Sequence, residues 1–177
     1  MRLLAALLGA ILILVTASPA DAAPSGRAAR LSRTVGVDII VPTAVNLGAG
    51  FVGGTLTGRL GTVEVRDSRG PVNPNSWVAT VSATAFVAGA GGPQRTIDAG
   101  RVSYWSGPAV RSTGGGTLVP GQPTSAQAVT LDVAREAFRK TTGADSNTVA
   151  WGPTIRIAIP TGVVRGSYRG EIVHSVA

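Results

Sequence analysis

The sequence predicts an all-β fold, an antiparallel β-sandwich of about seven or more strands with at most one short helix. Turn-forming residues return every eight to twelve positions, the spacing of a sandwich built from short strands. The segments between them are rich in Val, Ile, Thr, Tyr and Trp, side chains that suit a pleated, half-buried surface. In Thr154-Ile155-Arg156-Ile157-Ala158-Ile159 the alternation is strict. Three isoleucines fall on one face and Thr154, Arg156 and Ala158 on the other, as a strand between core and water requires.

The first segment reads as an address rather than as part of the fold. Arg2 precedes an apolar run from Leu3 to Val15 broken only by Gly9, and Ala20-Asp21-Ala22 offers the small residues of a signal-peptidase site. Residues 1-22 are therefore expected to be a secretory signal peptide cut after Ala22, since the run falls short of the about 20 residues that span a bilayer. The cut removes Arg2 and Asp21 together, so the net charge stays at +7. No membrane anchor is expected after cleavage. Residues 23-33, built from Ala, Pro, Ser, Gly and Arg with no periodicity beyond Leu31, read as a flexible lead. Residues 34-177 are one domain's length and form the expected sandwich. They end at Val176-Ala177 without a sorting motif, so any surface attachment is expected to be noncovalent.

Seven strands are predicted: Thr34-Val41, Thr62-Asp67, Ser76-Phe86, Arg101-Trp105, Ala126-Leu131, Thr154-Ile159 and Ser167-Val176. Asp67-Ser68-Arg69-Gly70, followed by Pro71, is a turn in which Asp caps and Gly takes positive φ. Gly89-Gly92 and Gly114-Gly116 are loops, and neither leads from a strand into a helix as a phosphate-cradling loop must. The single helix candidate is Val133-Lys140, a short helix or turn in which Val133, Ala137 and Lys140 share a side and Arg135 and Arg139 sit four apart.

The chemical inventory is thin. With no Cys, disulfides, thiol nucleophiles and thiolate metal sites are excluded, and a single His, His174, excludes a two-histidine site. No cofactor is expected. His174 lies in an alternating segment with Ile172 and Val176 on its own side, which suits a half-buried structural imidazole better than a triad base. A hydrolase would need a carboxylate pair from Asp38, Glu64, Asp67, Asp98, Asp132, Glu136, Asp145 and Glu171, most of which fall in turns or on solvent faces. Lys140 reads as an exposed charge. The expectation is a protein that is not an enzyme.

Sixteen basic residues face nine acidic ones, and all but Lys140 of the basic set are Arg. They are dispersed without a run, and aromatics make up only 5% of the chain, so nucleic acid is not an expected partner. Outside a cell the same charge favours an anionic wall polymer. The candidate contacts for a glycan or a protein partner are Trp77, Trp105, Trp151, Tyr104, Arg101, Arg156, Arg169 and His174. Tyr104 and Trp105 are adjacent on one strand and must face opposite ways. Trp105 beside Ser106-Gly107-Pro108, and Trp151 before Gly152-Pro153, suit either a sugar-stacking platform at a sandwich end or plugs that close the core. Trp77 reads first as a core ring.

Two segments carry a resemblance. Val63-Glu64-Val65-Arg66-Asp67-Ser68-Arg69-Gly70 precedes Trp77 in Ser76-Trp77-Val78-Ala79, and Tyr168 and Ile172 stand in the terminal strand. This arrangement resembles the WxL-domain family of secreted Gram-positive surface proteins, in a diverged actinobacterial form. Trp77 matches the family's first Trp, with Ala79 in place of Leu. At the end, His174 replaces the second Trp and Val176 replaces Leu. The resemblance implies a β-sandwich held noncovalently on the cell wall, with the Trp-centred motifs contributing to peptidoglycan binding. The function expected is noncovalent association with wall glycan or with a surface protein; the alternatives are a subunit that pairs through edge strands and a secreted glycan hydrolase.

Overall fold

The computed structural model describes residues 35–177 and, as backbone, residues 11–16. The expected lead at 23-33 and the rest of the expected signal peptide lie outside the described residues. In chain order the strands begin with β1 (Ile11–Thr16), β2 (Val37–Ile40), β3 (Ala44–Gly50), β4 (Thr55–Arg59), β5 (Val63–Asp67) and β6 (Trp77–Ala83). Next come β7 (Phe86–Ala88), β8 (Thr96–Ile97), β9 (Val102–Trp105), β10 (Ala109–Gly114) and β11 (Leu118–Pro120). The last are β12 (Val129–Thr130), β13 (Arg135–Lys140), β14 (Asn147–Trp151), β15 (Thr154–Ala158) and β16 (Ser167–Val176).

The protein is an all-β sandwich. One layer is an eight-stranded sheet in the order β11-β13-β6-β16-β1-β3, with β7 and β8 attached beside β16. The other layer consists of two four-stranded sheets, β12-β9-β15-β4 and β10-β14-β5-β2. These two share one order because the chain passes almost directly from β4 to β5, from β9 to β10 and from β14 to β15. They are two halves of one bent layer. The bend runs through Gly61 and Gly107, both at positive φ, and through Gly152-Pro153, where the Leu60 N–H donates to the Pro153 carbonyl at 2.9 Å. Glycine and proline let the chain turn there without side-chain clash.

The core between the layers is aromatic. Trp77, Trp151, Tyr104, Tyr168, Phe86 and Phe138 are all fully buried. The Phe138 ring from β13 stacks on Trp151 from β14 with centroids 5.0 Å apart. The Trp151 indole N–H donates to the Tyr104 hydroxyl at 3.2 Å, so neither polar tip is left dry.

The helix expected over Val133-Lys140 is instead strand β13, paired with β11 and β6. The reason is a β-bulge. The ladder to β6 jumps between Glu136 and Phe138, leaving Ala137 as the extra residue, so Ala137 and Phe138 are both buried. Two consecutive inward residues break the period of two and imitate a helical stripe. Lys140, expected to be exposed, is 1% accessible, and its Nζ donates to the Asp145 carbonyl at 2.6 Å.

Other expectations hold. The Asp67 to Gly70 turn has the Arg69 N–H on Asp67 Oδ1 at 3.1 Å and Gly70 at φ 79°. Ile155, Ile157 and Ile159 are buried while Arg156 and Ala158 are exposed. The segment Ser76-Phe86 divides into β6 and β7 at Thr84-Ala85. Strands β3, β4, β8, β10, β11 and β14 were not expected.

Candidate glycan-binding face

The sheet β12-β9-β15-β4 turns one face inward and one outward. Tyr104, Val102, Ile155, Ile157 and Leu56 point into the core. The residues between them therefore form the outer face, because side chains alternate along each strand. Cross-strand register sets Trp105 opposite Thr154 and Thr154 opposite Arg59, and sets Ser103 opposite Arg156 and Arg156 opposite Thr57. The result is a half-exposed indole among hydroxyls and two arginines. The Arg156 guanidinium carbon lies 5.5 Å from the centre of the Trp105 ring, within cation–π range. No carboxylate occurs in β4, β9, β12 or β15, so nothing on these strands neutralises Arg59 and Arg156.

Local structure holds this platform still. Ser106, fully buried directly after Trp105, donates its hydroxyl to the Gln122 carbonyl at 3.0 Å and accepts the Gln122 N–H at 3.2 Å. Arg101 is exposed at the turn that feeds β9, formed by Ala99–Arg101 and closed by its N–H on the Asp98 carbonyl at 2.9 Å.

The other aromatic candidates are in the core. Trp77 is 2% accessible, while Trp151 and Tyr104 are fully buried, so the plug alternative applies to Trp151 and the core alternative to Trp77. Their rings offer no face to a sugar. His174 on β16 points between the layers with its ring edge-on to Tyr104 at 5.9 Å and near Trp151 at 6.5 Å. Its Nε2 lies 3.4 Å from the Tyr104 hydroxyl. Burial pushes the imidazole down to about 4 and the Tyr104 phenol up. At neutral pH His174 is thus an uncharged packing group. Arg169 is exposed on β16 in the opposite layer, away from Trp105.

Two carboxylates depart from the expectation of solvent faces. Glu64 and Asp67 are 7% and 4% accessible. They lie on opposite faces of β5 and belong to separate arginine clamps. Arg66 and Arg111 both reach Glu64, and their hydrogen bonds hold its carboxyl below the usual carboxylate range despite its burial. Burial pulls Asp67 up, but Arg69 outweighs it with hydrogen bonds from Nε at 3.1 Å and Nη2 at 3.0 Å, so the net shift is down. Arg69 also reaches Asn75 at 2.6 Å. Carboxylates on opposite faces of a strand cannot flank one glycosidic bond.

A shallow cleft of about 370 Å³ opens beside these residues, lined by Val35, Asp67, Ser68, Thr113, Ser146, Asn147 and Thr148. It carries hydroxyls but no aromatic platform.

Arg59, Thr57 and Ser103 escaped sequence reasoning. The signal for the first two was present as the alternation Thr55-Leu56-Thr57-Gly58-Arg59, hidden by the surrounding glycines. Compared with protein-family models and with curated proteins, the chain matches none.

Proposed function

We propose that this chain is a secreted, non-enzymatic surface protein that binds anionic wall glycan noncovalently through the Trp105 face. The observation that carries the reading is the Arg156 guanidinium over the Trp105 ring, on strands that hold no carboxylate. An indole gives a flat apolar surface for the C–H face of a sugar, and the flanking arginines suit its phosphate or carboxylate groups. Ser103, Thr57 and Thr154 add hydroxyls to bond the ring substituents. The net charge of +7 strengthens the encounter at low salt.

The test is cosedimentation of residues 23-177 with purified cell wall over a salt series, beside Trp105→Ala and Arg59→Ala/Arg156→Ala variants. Binding that survives high salt and is lost with Trp105→Ala supports a stacking site. Binding that all variants share and that salt abolishes reduces the reading to bulk charge attraction.

A second reading, a subunit that pairs with another copy through an edge strand, draws on β10. This strand is exposed along its whole length at the edge of its sheet. A monomer at every concentration in sedimentation would remove it.

A further inference from the structure

Strand β1 occupies an internal position in the eight-stranded sheet. It runs parallel to β16, from Leu12 opposite Ser167 to Thr16 opposite Glu171, and antiparallel to β3, from Ile11 opposite Gly50 to Thr16 opposite Ala44. Among the described residues β3 has no other ladder partner. Yet β1 belongs to the segment that reads as a signal peptide. If the chain is cut after Ala22, the sheet loses an inner strand and keeps both of its neighbours.

We propose that the slot between β3 and β16 is an acceptor site for an extended apolar strand of another polypeptide, bound parallel to β16 and antiparallel to β3. The inference rests on cleavage of residues 1-22 and is independent of wall binding and of the β10 edge. Strands pair about 4.8 Å apart, so the two walls stand about 10 Å from each other, the width of one strand and too far for direct hydrogen bonds. Each wall is held by contacts that do not involve β1. On β16, Tyr168 and Arg169 pair with Ala88 and Val87 of β7 on the other edge, and the Glu171 N–H donates to Thr84 Oγ1 at 2.9 Å. On β3, Leu47 is buried against Gly58, and Gly50 is seated so closely on Ile159 that a Cβ there would meet Ile159 Cδ1 at 2.6 Å.

The slot also has a built-in register. The β1 ladder to β3 skips Leu47, passing from Ile13 opposite Gly48 to Leu14 opposite Asn46, with Gly48 at φ 89°. That bulge fixes where an incoming strand seats. The occupant that fits has the character of Ile11-Leu12-Ile13-Leu14-Val15-Thr16, apolar and rich in residues that favour extended backbone. Residues 23-33 of the same chain do not supply it, because they carry Pro24 and the arginines 27, 30 and 33. An open pair of strand edges around an apolar layer therefore calls for a strand from a partner, in the manner of strand addition.

The experiment uses the protein isolated from culture medium, with its N-terminus read by mass spectrometry, and a labelled peptide spanning residues 9-18 with a solubilising tail. The expected result is an N-terminus at Ala23, one-to-one binding of the peptide, and slowed amide exchange in 44–50 and 167–171 upon binding. A peptide carrying Ile13→Pro and Val15→Pro, which removes two ladder donors, should bind at least tenfold more weakly. If the protein is poorly folded alone, the native peptide should restore its β-sheet circular dichroism and the proline peptide should not. An N-terminus that retains residues 11–16 overturns the proposal, because β1 is then a permanent strand. So does an N-terminus at Ala23 with no peptide binding, whether or not those amides are already protected.

Discussion

The indole N–H of Trp77 donates to Asn147 Oδ1 at 3.1 Å, joining β6 of one layer to β14 of the other through a buried polar contact. Neither residue is more than 4% accessible, and Asn147 Nδ2 has no partner. The bond thus satisfies the Asn147 side chain through its oxygen alone, while the backbone of Asn147 is paired within the sheet. Trp77→Phe should cost about 1–3 kcal/mol from the orphaned acceptor, with the smaller ring adding to the loss. Combining it with Asn147→Leu should recover part of that loss, because both ends of the bond are then apolar. Thermal melts of the two singles and the double read the coupling, and simple additivity would mean that the bond contributes little.

The bulge in β13 makes a second expectation. Phe138 is fully buried on Trp151, whereas its neighbour Arg139 is exposed and paired only with Glu136. Phe138→Ala should destabilise by about 3–5 kcal/mol and Arg139→Ala by less than about 0.5 kcal/mol. Urea unfolding checks the contrast.

Gly170 is a packing requirement rather than a hinge. A Cβ at this position would stand 2.9–3.0 Å from the ring of Phe86, which is itself fully buried. Gly170→Ala should cost about 1–3 kcal/mol, as overpacking of a filled core does. Gly162, which has no atom within 4 Å of such a Cβ and no positive φ, is the matched control. Gly162→Ala should leave the melting temperature unchanged or raise it slightly.

Stability should rise with pH between about 4 and 6.5. His174 has a folded value near 4 and a free value of 6.5, so the unfolded chain binds the proton first as pH falls. Its neutral burial contributes fully above 6.5 and is lost on the way down to about 4. Glu64 and Asp67, both held below their free values of 4.5 and 3.8, extend the acid loss to lower pH as they take up protons. Denaturant midpoints from pH 4 to 7 should show the slope, and His174→Phe should flatten it above pH 5 if the fold accepts the ring.

Legibility in the sequence followed the period of two. Strands β5, β9, β15 and β16 were plain because each alternates without interruption, and the opposite facing of Tyr104 and Trp105 came from the same rule. Where the period broke, the reading broke with it. The bulge at Ala137 made a strand resemble a helix. Gly48, Gly50, Gly53, Gly54 and Gly58 made β3 and β4 resemble a loop, although Gly50 and Gly58 are there because Ile159 and Leu47 leave no room for a side chain. The candidate face was half visible: Trp105 and Arg156 stood out by type and position, but their meeting depends on a β9-β15 pairing that a sequence does not state. Trp77 reads as a core ring from its place in a strand, but Trp151 could not be told from a surface ring without knowing what covers it.

The burial of Lys140 has a practical consequence. It is the only lysine, and its amine is engaged by the Asp145 carbonyl rather than displayed. Amine-directed reagents therefore meet a folded molecule whose one side-chain amine is covered. Labels, cross-linkers and activated beads should leave that side chain unmodified while the fold is intact. Modification of Lys140 in turn becomes a clock for opening of the fold, and it runs only as fast as the sandwich comes apart.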